Sequence, residues 1–196
     1  PAPSAQVIGA GRAADGILAV SQAMKADIAA LGIPAHRVRV HHTGVDLTRF
    51  APRDQLAAKA VLGIAGPLIV SVGALIPRKG HDIVIDAVAA LPGVQLRIAG
   101  EGPERPRLAA QIARLGLGDR VKLVGSVAHG ELPPLLAAAD VMALASSSEG
   151  LANAWVGALA SGTPIVIPDA GGAGEVVTSA DAGRVAPRTA PAFAAG

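Results

Sequence analysis

The chain has 196 residues, 51% hydrophobic against 16% charged, with a formal charge of +2. These figures exclude a disordered chain, and with no Lys/Arg block longer than Arg78-Lys79 they give no electrostatic basis for nucleic-acid binding. Two Phe, one Trp, no Tyr and no Cys leave an aliphatic core and exclude disulfides, thiolate catalysis and cysteine-bound zinc.

Residues 1–12 carry no recognisable pattern. Residues 16–20 read as a short buried strand ending at Ser21, a side chain suited to cap a helix. Met24, Ile28 and Leu31 then follow at helical spacing, and Gly32 supplies a stop. A strand at 38–41 leads to the turn Thr43-Gly44-Val45-Asp46, and Phe50-Ala51-Pro52 reads as a connection between units.

From residue 53 strands and helices alternate. A helix at 56–62 precedes a strand at 68–72, a loop at 73–80, and a helix with Ile83, Val84, Ala87, Val88 and Leu91 on one face. A strand at 94–99, the loop Gly100-Glu101-Gly102-Pro103-Glu104 and a helix starting near Pro106 follow. Further strands are expected at 121–124, 141–144, 165–167 and 183–185, with helices at 132–139 and 153–160. The Ala/Pro-rich residues 187–196 read as a loose tail without a covering helix. Such alternation implies an α/β fold, a Rossmann-like doubly wound parallel sheet.

Ligands of open α/β sheets sit beyond the carboxyl ends of the strands. Four loops qualify: 73–80, 100–104, 125–129 and 146–153. The first places Arg78 and Lys79 at a strand–helix connection, where a cation can neutralise a diphosphate or serve only as a solvated basic loop. The second is half of a dinucleotide fingerprint and reads foremost as a tight turn. The fourth carries the strongest local signal: Ser148, Glu149 and Gly150 precede a helix, so free backbone amides meet a carboxylate able to hold a polyol. Ser148 and Glu149 are equally suited to cap that helix, and Trp155 reads as packing against the sheet. His41 and His42 point to opposite faces of a strand, which argues against a shared metal, and His129 reads as a surface residue.

In order, His42-Thr43-Gly44-Val45-Asp46 to Phe50, Val72-Gly73 to Lys79-Gly80, Gly100-Glu101-Gly102-Pro103-Glu104, Ala139-Asp140-Val141, Ser148-Glu149-Gly150, Gly162-Thr163-Pro164 and Gly171-Gly172 to Glu175 form an ordered set. The set resembles the retaining nucleotide-sugar glycosyltransferases of family 4, with the two-domain GT-B architecture.

The resemblance implies that residues 1–47 are the end of an N-terminal domain and 48–52 the interdomain connection. Residues 53–186 would be the donor-binding domain, and the bulk of the N-terminal domain a missing partner. The donor would be a nucleotide diphosphate sugar and the acceptor is unspecified. Lys79 and Glu149 would be catalytic: Lys79, in a loop with Gly73, Ala74 and Arg78, would meet the diphosphate, and Glu149 the sugar hydroxyls. Backbone amides near Gly150, Leu151, Ala152 and Asn153 would share the phosphate charge, while Val127 and the loop with Gly100 and Glu101 would flank the base. Neither metal nor cofactor is implied. A cytoplasmic location is expected, with peripheral contact at the inner membrane face. Two positions depart from the family pattern: Ala74 stands where many members carry Arg, and Gly157 where a second Glu binds ribose. Gly157 is expected to weaken both the nucleotide site and its helix. A sugar-nucleotide epimerase and a non-catalytic nucleotide- or polyphosphate-binding module are the competing readings.

Overall fold

The computed structural model describes residues 5–196. A helix, α1 (Ala5–Ala13), occupies most of the stretch that carried no sequence pattern. It precedes a two-stranded parallel sheet of β1 (Ile17–Ala19) and β2 (Val38–Val40), bridged by α2 (Gln22–Ala30). The Ser21 side chain accepts from the Met24 amide at 3.1 Å, so the expected cap is present.

The larger unit begins with α3 (Gln55–Val61) and β3 (Leu68–Val72), followed by α4 (His81–Ala89), β4 (Gln95–Ala99), α5 (Arg105–Arg114) and β5 (Val121–Gly125). Then come α6 (Leu132–Ala138), β6 (Val141–Ala143), α7 (Asn153–Ala160), β7 (Ile165–Ile167), α8 (Ala173–Val176), β8 (Gly183–Val185) and α9 (Ala190–Ala194). The six strands are all parallel, in the order β5-β4-β3-β6-β7-β8.

Side chains alternate across this sheet, as the period of a strand requires. Leu68, Val70, Met142, Ile165 and Ile167 pack with Phe50, Leu136 and Trp155 on one face. Leu96, Ile98, Ala143 and Val166 pack on the other with Val84, Val88, Leu108 and Phe193. Both faces are therefore covered, which explains the aliphatic composition. Lys59, buried, joins β3 to the start of β6: its Nζ donates to Asp140 at 2.7 Å and the Leu68 amide donates to the same oxygen at 2.7 Å.

The C-terminal stretch corrects an expectation. Residues 190–194 form a helix, not a loose tail, because Phe193 is buried against α4. Among the described residues, no helix is long and apolar enough to cross a membrane.

The winding reverses at β3. From β3 the chain moves outward through β4 to β5, then returns to place β6 on the other side of β3. The loops leaving β3 and β6 therefore diverge and open a crevice, the place where such folds bind ligands.

Candidate functional site at the sheet's switch point

A cavity of about 570 Å³ occupies this crevice. Gly73, Ala74 and Lys79 come from the loop after β3, and Glu149, Leu151, Ala152 and Asn153 from the loop after β6. Gly157 of α7 closes its back, and Asp46 and Phe50 approach from the segment between the two sheets.

Backbone contacts hold the two loops together. Gly80 has φ +65°, and a Cβ there would lie 2.1 Å from the Ala145 carbonyl oxygen, so only glycine lets the loops approach. The Ser147 amide donates to the Arg78 carbonyl at 2.8 Å, and Arg78 Nη1 donates to the Ser148 carbonyl at 2.5 Å. His81, the first residue of α4, is buried with Nδ1 2.9 Å from Ser71 Oγ. Burial pushes its pKa below the usual imidazole value, so it anchors the loop as a neutral ring.

These contacts bring Lys79 Nζ to 2.5 Å from Glu149 Oε1, with the side chains only 15% and 9% exposed. Desolvation makes such a pair costly for either partner to lose alone. The aliphatic stem of Lys79 lies across Gly73. Asp46, on the cavity wall, is held below the usual carboxylate range by the Thr48 hydroxyl and amide, which donate at 2.6 and 2.9 Å.

Helix α7 begins at Asn153 with Ala152 as its N-cap, and no side chain bonds its first amides. The expectation that Ser148 or Glu149 caps it is therefore corrected: the Glu149 carboxylate turns to Lys79 and the Ser148 carbonyl to Arg78. The uncapped amides of this first turn, at the cavity wall, are what an anion requires.

The remaining sequence-predicted residues fall outside this lining. Gly100 and Val127 line a smaller adjoining cleft of about 180 Å³, which shares Val72, Gly73 and Leu132 with the main cavity. Glu101 turns away to pair with Arg105 at 3.2 Å. Arg78 stands at the rim, 3.7 Å from the other Glu149 oxygen. Gly150 packs against Val20 and Met24 of the smaller unit.

Gly157 is a packing partner as well as a wall. A Cβ on it would stand 3.1 and 3.3 Å from two Phe50 ring carbons. His129, read from sequence as surface, lines the cavity and meets the Phe50 ring at a centroid distance of 5.4 Å. Its loop, 125–129, was among the four expected at the ligand end of the sheet, but its contact with Phe50, remote in the chain, had no local signal. His42 pairs with Glu175 at 2.9 Å, and no group of three metal-ligating side chains exists among the described residues.

The chain matches the family described as Glycosyl transferases group 1 over residues 54–196, and Glycosyltransferase Family 4 over residues 4–49. It belongs to the group 1 glycosyl transferases. It is 40% identical over 149 residues to D-inositol 3-phosphate glycosyltransferase of Mycobacterium tuberculosis, a match covering 72% of this chain and 31% of that protein. The Anabaena Alr3699/HepE structure in complex with UDP and glucose superposes with a TM-score of 0.86 at 32% identity, covering 95% of this chain and 53% of that one. Sucrose-phosphate synthase from Thermosynechococcus elongatus gives a TM-score of 0.90 at 28% identity, covering 96% and 49%. The chain thus spans about half the length of these structures and under a third of the mycobacterial relative. The parallel sheet and its GT-B relationship agree with the fold read from sequence.

Proposed function

We propose that this chain is the donor-binding part of a retaining glycosyltransferase that uses a uridine diphosphate sugar. The observation that carries this reading is the Lys79–Glu149 pair beside the uncapped start of α7. Each member is the natural counterpart of one half of such a donor. A diphosphate entering the crevice competes with Glu149 for Lys79 and finds the α7 amides as further donors. The released carboxylate is then free to accept hydrogen bonds from sugar hydroxyls. As the glycosidic bond breaks, charge grows on the departing diphosphate, and Lys79 with the helix terminus meets it. Retention follows if the acceptor attacks from the leaving-group face, a route that asks no covalent carboxylate of the protein.

The choice of uridine is supported by the Anabaena relative, whose crystals hold UDP and UDP-glucose. The segment before Asp54 would belong to the acceptor-side domain and residues from Asp54 onward to the donor domain. Calorimetric titration of the chain with uridine, guanosine and adenosine diphosphates tests the reading. Uridine diphosphate should bind with Kd below about 1 mM and tightest of the three. Equal, weaker-than-millimolar binding of all three by the folded chain would refute it.

A further inference from the structure

The cavity is short of positive charge for the ligand proposed above. Its charged lining consists of Lys79, Glu149 and Asp46, and Lys79 is already committed to Glu149. With a neutral imidazole at His129, these lining side chains carry one net negative charge, which Arg49 beside Asp46 and Arg78 at the rim offset from outside the lining; a protonated one adds a cation within it. A doubly charged pyrophosphate enters the second environment more readily.

His129 is positioned for this task. Its ring is tilted 57° against Phe50, which is buried beside Gly157 in the same core as Leu136. The imidazole is itself exposed and lines the same cavity as Lys79. The charged groups of the elements that form and flank this cavity are Asp46 and Arg49 from the Phe50 segment, Glu131 at the start of α6, and Lys79, Arg78 and Glu149 from the loops after β3 and β6. Helix α7 contributes no charged side chain. Asp46 is paired with Arg49 at 3.3 Å, and Arg78 stands at the rim, which leaves His129 as the titratable group able to add a cation within the lining.

We propose that His129 is a binding residue for the donor pyrophosphate, a proton-dependent cation that Phe50 orients within the cavity. The assignment rests on the donor reading above. It makes donor binding strengthen as His129 gains a proton and weaken as it loses one.

Uridine diphosphate glucose is the suitable probe, because its esterified pyrophosphate keeps a constant charge from about pH 6 to pH 8. Titrated into the wild-type chain, it should bind on the order of three- to tenfold tighter at the lower pH. His129→Gln should bind the probe more weakly than wild type at the lower pH and show no rise in affinity between the two. The His129 ring signal, followed by NMR, should titrate at a higher pH when the probe is bound. Wild-type binding that does not change with pH, an equal rise in the variant, or a ring titration unmoved by the probe would each overturn the assignment and leave the donor reading standing. A folded wild-type chain that binds the probe at neither pH would overturn both. Should His129→Gln fail to fold, the wild-type NMR titration decides alone.

Discussion

Ala74 and Gly157 both depart from the family pattern, yet their surroundings make them opposites. Ala74 is exposed at the cavity edge. Ala74→Arg should therefore leave stability unchanged and tighten uridine diphosphate binding about three- to tenfold, measured by calorimetry. Gly157 is buried under the Phe50 ring, with Leu136 3.6 Å from where a Cβ would sit. Gly157→Glu must displace that ring and set a carboxylate among apolar neighbours, so it should cost about 1–3 kcal/mol in urea denaturation and bring no gain in affinity. Tighter binding without loss of stability would show that Phe50 yields freely. The sequence suggested a weakened helix at Gly157, since helical spacing reveals a residue's own helix but not the ring facing it.

Between elements, the seam of the smaller unit with the sheet is the most informative contact. Glu175 of α8 accepts from the Gln22 and Ala23 amides at the start of α2, at 3.0 and 3.2 Å, and from His42 at 2.9 Å. Burial opposes its ionisation, but the bonds from Gln22, His42 and Ala23 outweigh it and hold its pKa below the usual carboxylate value. A depressed carboxylate contributes stability that is complete above its unfolded-state pKa and lost as the pH falls through the folded one. The seam should thus be intact at neutral pH and loosen in acid below the ordinary glutamate range. Glu175→Ala should loosen it at pH 7, read as faster amide hydrogen exchange in α2 with β3 and β4 unchanged; unchanged exchange in α2 would contradict this. Gly150 lies in the same seam, where a Cβ would come 2.5 Å from the Met24 methyl. The packing of Gly150 against Val20 and Met24 had no signal in the sequence, because those residues lie remote in the chain. The short helices α8 and α9 were equally hidden, because four or five residues show no periodicity and a single buried Phe193 fixes the latter.

For the molecule as a whole, the sheet was legible because a doubly covered parallel sheet writes each strand as an aliphatic run between turn residues. Residues 68–72 and 165–167 form the strands expected of them. The crevice was legible as a set of loops, and Lys79 and Glu149 do converge there. Its remaining wall was legible only in part: loop 125–129, which carries His129, was expected there, whereas Phe50 and Asp46 reach the cavity through long-range packing with no local signature. Whether Lys79 meets a diphosphate is decided by comparing uridine diphosphate with uridine as ligands of Lys79→Ala. That change removes a cation and leaves the buried Glu149 with only Arg78, 3.7 Å away at the rim, so diphosphate affinity should fall about 10- to 100-fold while uridine affinity changes little. An equal loss for both ligands, in a variant shown to be folded, would contradict it.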